Sequence, residues 1–107
     1  MSEFIAFLID GLQPLGQIRA KRMFGGHGIF FEDTMFAIVA DDTLYLKADE
    51  QNKSEFDALD LMPFQYSRKD KVIEMSYRPA PEVIFDDPDE LIHWGRLALD
   101  AALRQRR

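Results

Sequence analysis

Apolar residues at Phe4, Ile5, Phe7, Leu8 and Leu12 recur at the spacing of one helical face, which predicts a helix over residues 2–13. Ser2 is its candidate cap, Gly11 loosens its end, and Pro14 with Gly16 stops it. From residue 17 the period falls to two, and residues 17–24, 28–32, 34–40 and 43–48 read as successive strands. Glu32-Asp33 and Asp41-Asp42 are short enough to be hairpin turns, so these strands pair antiparallel. In the fourth strand Leu44 and Leu46 alternate with Tyr45 and Lys47, as expected when one sheet face is covered.

Asp49 is the candidate N-cap of a second helix over 50–58, anchored inward by Phe56 and Leu59, and Pro63 closes that region. Residues 64–67 and 71–77 then predict a second hairpin around Arg68-Lys69-Asp70, adding two strands to the sheet. Arg78-Pro79-Ala80-Pro81 breaks the strand pattern, because proline has no N–H to give a ladder. A last helix starts at Asp87, with Pro88 at its first position and an acid three residues after the cap. Leu91, Ile92, Trp94, Ala98, Leu99 and Ala102 form its apolar stripe, and residues 104–107 place basic charge at the negative end of its dipole. The result is an α+β class, a two-layer antiparallel sheet with packed helices in the order α-β-β-β-β-α-β-β-α. No repeat or linker divides residues 1–107, so one domain is expected.

Nine Phe, five Met and one Trp in 107 residues supply the bulk for one core. The sequence has no Cys, which removes disulfides and thiolate metal sites from consideration. The opening residues are apolar for only six positions and flanked by acids, unlike an export signal, and no stretch approaches the ~20 apolar residues of a membrane span. A cytoplasmic protein without membrane association is expected.

The net charge of −6 is uneven: acids are dense over 41–60 and 82–90, while basic residues gather at 19–22, 68–71 and 104–107. Three small clusters on an acidic chain neutralise few phosphates, so direct binding of duplex DNA is not expected.

Candidate chemistry centres on residues 23–30, where Gly25, Gly26 and Gly28 interrupt apolar runs. Such a stretch can turn sharply or bring backbone close to an anion, but β-patterned residues follow it, where a phosphate loop needs a helix. A hairpin or bulge is the expected role. His27 is the best single candidate for acid–base chemistry and lacks visible partners, while His93, beside Trp94 on the last helix, has no ligand set at helical spacing. Asp41-Asp42, Asp49-Glu50 and Asp86-Asp87 fall at turns and helix starts, where acids serve hydrogen bonding. Ser76 and Tyr77 suggest a nucleophile and an acid without a motif around them, and Phe30-Phe31 with Phe64 and Tyr66 fit a sheet core. Neither a cofactor nor a metal is expected.

The ordered set from Arg22 to Phe30, then Met35-Phe36-Ala37, residues 44–50, Pro63-Phe64, Met75-Ser76-Tyr77 and the last helix resembles the N-terminal domain of the TfoX/Sxy competence regulators. The resemblance implies a fold similar to type III secretion chaperones and a role in regulating genes for DNA uptake through contact with a transcription factor. Its motifs mark Arg22, Met23, Phe24, Gly25, Gly26, Gly28, Ser76 and Tyr77 as candidate contact residues. Full-length members carry a further C-terminal helical domain absent from this sequence, so a stand-alone domain is expected. The leading reading is a non-enzymatic module that binds another protein, with a homodimer through the sheet or an exposed strand edge as one form. Its rivals are a nucleic-acid binder using the basic clusters and a small-molecule enzyme or ligand-binding domain centred on His27.

Overall fold

The computed structural model of the chain describes residues 2–23, 25–63, 65–68, 71–74 and 76–106, with 65–68 and 71–74 described as backbone. Ser2 caps the first helix, α1 (Glu3–Gly11), its Oγ accepting from the Ile5 N–H at 3.2 Å. A 3-10 turn (Gln13–Leu15) containing Pro14 ends this segment. Four strands follow: β1 (Ile18–Met23), β2 (Gly26–Phe31), β3 (Thr34–Ala40) and β4 (Thr43–Lys47), each antiparallel to the next. Asp41 and Asp42 both take left-handed φ, 52° and 56°, as the two central residues of a tight hairpin do.

Strict alternation fails in β3. Ile29 pairs with Ala37 but Phe30 pairs with Met35, so Phe36 is an extra residue at a bulge. Both Phe36 and Ala37 are fully buried, whereas alternation would send one of them to each face. Met23, Phe30 and Met35 instead meet above Gly28.

The second helix, α2, is shorter than predicted, spanning Lys53–Asp57. Asp49 Oδ1 accepts from the N–H groups of Gln51 and Asn52, and Asn52 Oδ1 accepts from the Asp49 N–H, so a side-chain-held turn occupies the expected first turn of the helix. Its end is a Schellman pattern: Leu61 N–H reaches Phe56 C=O and Asp60 N–H reaches Asp57 C=O, with Asp60 at φ 57°.

The second hairpin departs from the sequence expectation. Strands β5 (Gln65–Arg68) and β6 (Lys71–Glu74) pair only with each other among the described strands, and Lys69 and Asp70 at their predicted turn lie outside the described residues. The strand expected over 71–77 is divided by a bend at Ser76, and a separate short strand, β7 (Tyr77–Pro79), joins the main sheet beside β4. The sheet order is therefore β1-β2-β3-β4-β7. Proline is tolerated in β7 because an edge strand can leave its N–H position unpaired.

A 3-10 turn (Glu82–Phe85) leads into α3 (Pro88–Gln105), where Asp87 Oδ1 accepts from the Asp89 N–H at 2.9 Å. Helix α3 lies across β3 and β4. The core joins Ile5, Leu8 and Leu12 of α1 to Phe36, Leu44 and Leu46 of the sheet and to Leu91, Trp94 and Leu99 of α3. Phe56 anchors the short α2 by packing its ring 5.1 Å from that of Trp94. Burial of each such side chain contributes about 1.5–3 kcal/mol.

Candidate functional site

Two polar groupings and one apolar face stand out. The first grouping lies where β4, β7, α2 and the end of α3 meet. Lys47 ends β4 opposite Tyr77, and its Nζ donates to Ser76 Oγ at 2.6 Å while lying 5.2 Å from the centre of the Tyr77 ring. Only 8% of Lys47 is exposed, and burial lowers its pKa against the opposing field of Asp49. Burial likewise raises the Tyr77 pKa. No carboxylate pairs with Lys47 among the described residues.

Beside this pair is an open cleft of about 540 Å³ lined by Lys47, Asp49, Ser76 and Arg104. Arg104 donates from Nε and Nη2 to both Asp49 oxygens, at 2.7 and 2.9 Å. Buried Asn52 completes the junction, its Nδ2 donating to the carbonyls of Lys47 and Leu97. A lysine amine can take a serine proton once deprotonated, but acyl transfer then needs free donors for the oxyanion. The N–H groups of Gln51 and Asn52 at this cleft are already given to Asp49. The Lys47–Ser76 contact bridges the end of β4 and the residue before β7.

The second grouping is the β1–β2 hairpin. Gly25 holds φ 79° in the turn, and Gly26 begins β2 so close to β3 that a Cβ there would sit 2.2 Å from the Val39 carbonyl oxygen. Arg22 and Met23 end β1, and Gly28 is buried in β2; Phe24 lies outside the described residues. His27 is half-buried opposite Arg22 and Val39, and among the described residues no carboxylate pairs with it. Strands β3 and β4 separate this hairpin from β7, so the candidate residues Arg22 to Gly28 and the pair Ser76-Tyr77 occupy different parts of the sheet. His93 lies edge-on to the Trp94 ring and 3.6 Å from Glu55, both groups exposed. Among the described residues no three of His, Cys, Asp and Glu gather to hold a metal, and no helix is long and apolar enough to cross a membrane.

The apolar face was not legible as a site. Phe85, 51% exposed, lies with its ring 5.7 Å from that of Phe4 and 5.8 Å from that of Phe7, itself 40% exposed. A cleft of about 170 Å³ opens between Phe7, Phe85, Asp10 and Pro88. Across the 3-10 turn a wider cleft of about 550 Å³ is lined by Leu59, Val83, Trp94, Glu82 and Glu90. The available signal was the breadth of the α1 stripe: Ile5, Leu8 and Leu12 fill the core side with Phe4 at its margin, leaving Phe7 for another contact.

The TfoX N-terminal domain model matches residues 10–102. The chain belongs to the TfoX N-terminal domain family. This TfoX N-terminal domain is 27% identical over 106 residues to the DNA transformation protein TfoX1 of Aliivibrio fischeri, covering 99% of the chain and 51% of that protein. It is 28% identical over 95 residues to protein Sxy of Escherichia coli, covering 89% of the chain and 46% of that protein. The chain therefore spans about half the length of the curated relatives it matches.

Proposed function

We propose that this TfoX N-terminal domain is a non-enzymatic regulatory module for DNA-uptake genes that acts by binding another protein. The observation that carries the reading is the exposed aromatic face: Phe85 keeps half its surface in water although two phenyl rings stand beside it. Apolar area left open in this way, with Phe7 also 40% exposed beside it, supports a binding surface. The relative named a DNA transformation protein supports the pathway.

The test is complementation in the cell that carries the gene. A deletion strain is restored with wild type or with Phe85→Ser, and DNA-uptake transcripts and transformation frequency are measured. Wild type restores both, and Phe85→Ser at equal protein level does not. Equal restoration by both proteins removes the reading.

A further inference from the structure

We infer that the aromatic face receives a basic amphipathic helix of another protein, one apolar side chain of which enters the cleft between Phe7 and Phe85. This rests on the protein-binding reading and adds the chemistry of the partner. The cleft beside Phe85 is built by two segments, residues 2–17 and 79–95, which contain seven acidic residues and neither Lys nor Arg; the wider cleft adds Leu59 and Leu61. The two segments carry −7 where the whole chain carries −6, so the rest of the chain carries +1. The elements that present the exposed rings are thus acidic, as is the stretch 41–60, while the basic clusters lie elsewhere in the chain.

Glu3, Asp10, Glu82 and Asp86 are exposed on α1 and the 3-10 turn, and none of them has an ion-pair partner among the described residues. A partner bringing Lys or Arg to this rim meets unpaired carboxylates, and its cations also find phenyl faces. A second copy presenting the same face would meet like charge, as would an acidic peptide. The shape narrows the partner further. The cleft of about 170 Å³ lies below the ~300–1,000 Å³ of small-molecule sites and suits one anchoring side chain. The wider cleft on the far side of the turn offers Leu59, Val83 and Trp94 to a second anchor. Two apolar clefts flanking one turn, with acids around them, fit the spaced anchors and basic flanks of an amphipathic helix laid in a groove.

The probe is a fluorescein-labelled peptide of about five helical turns, built from Leu and Lys with one Trp so that the apolar residues share one face. Fluorescence anisotropy with the purified domain near physiological salt measures Kd. A peptide of identical composition in shuffled order is the control for charge alone. The amphipathic peptide is expected to bind at least about tenfold more tightly than the shuffled one. Phe85→Ser and the pair Asp10→Asn with Asp86→Asn should each weaken it by about tenfold or more while circular dichroism stays that of wild type. Asp10 and Asp86 are exposed and make no ring contact, so the double Asn variant keeps the test independent of any stability that Phe85→Ser loses with its ring packing. Equal binding of the shuffled peptide overturns the inference, as does an unchanged Kd in the Phe85→Ser protein. Self-association that Phe85→Ser abolishes also overturns it, by making a second copy the occupant. If Phe85→Ser silences DNA-uptake genes while the peptide fails to bind, the regulatory reading stands and the basic helix falls. If the peptide binds as described and Phe85→Ser regulates normally, the surface chemistry stands and the regulatory reading falls.

Discussion

Asp49 and Arg104, 55 positions apart, form a two-pronged ion pair that ties the turn after β4 to the last turn of α3. Both side chains are three-quarters covered, with 25% exposed. The guanidinium, with the Asn52 and Gln51 N–H groups, holds the Asp49 carboxyl below its ordinary 3.8. Replacing Asp49 by Ala removes the pair and the local cap, and should cost about 1–3 kcal/mol in denaturant unfolding.

The same pair predicts a pH dependence. A carboxylate whose pKa is lowered by folding stabilises the native state above its unfolded value, and that contribution is lost as pH falls through the folded pKa. The stability gap between wild type and Asp49→Asn should therefore be full near neutrality and close as pH falls below the ordinary 3.8. A gap that stays constant into acid would show that charge plays no part in the pair.

Asn52 should be less replaceable than any exposed polar residue. Its side chain gives to the carbonyls of Lys47 and Leu97 and receives the Asp49 N–H, so Asn52→Ala removes three hydrogen bonds to backbone groups. A loss of about 2–4 kcal/mol is expected, measured by urea unfolding. Asn52→Asp should cost no less, because a carboxylate would face two carbonyl oxygens.

Lys47 makes the opposite prediction. Buried with a hydroxyl and an aromatic ring for neighbours, its ammonium costs desolvation, so Lys47→Met should be as stable as wild type or more so. A base with a lowered folded pKa is penalised while charged, and the penalty lifts as pH rises through that pKa toward the ordinary 10.5. Any advantage of Lys47→Met should thus shrink in alkali. A large loss of stability in the variant would refute this, showing that the Lys47–Ser76 hydrogen bond outweighs the cost of burying the ammonium.

In the β1–β2 hairpin, thermal melting should rank the variants Gly26→Ala, Gly25→Ala and His27→Ala from most to least damaging. The Gly26 Cβ would collide with strand backbone, costing about 3 kcal/mol; Gly25→Ala pays for left-handed φ with about 1 kcal/mol. His27 has no partner among the described residues to lose, and its truncation should stay below about 1 kcal/mol. Wild-type melting of Gly26→Ala would contradict the close approach.

Much of the fold follows from local pattern. Ser2 and Asp87 cap their helices as the sequence indicates, because a capping oxygen needs only the next few N–H groups. The four-strand meander is likewise encoded by period-two runs and by Asp-containing turns that accept left-handed φ. Other features needed distant partners. The bulge at Phe36 turns two successive residues inward, which alternation along one strand cannot specify. The division at Ser76 separates β7 from β6, and strand pairing with β4 decides which sheet each joins.

The candidate sites divide along the same line. Gly25 and Gly26 were legible as backbone requirements, because glycine reports its own conformation or the approach of a neighbour. Asp49 read as a local cap, and Lys47, Asn52 and Arg104 as ordinary polar residues, until β4, α2 and α3 were packed together, since their other partners lie up to 55 positions away. The aromatic face is the extreme case. Sequence determines that α1 carries more apolar surface than one core contact absorbs, but only the tertiary structure brings Phe85 to Phe4 and Phe7. Hydrophobicity is a property of each residue, whereas exposure depends on which surfaces the rest of the chain has covered.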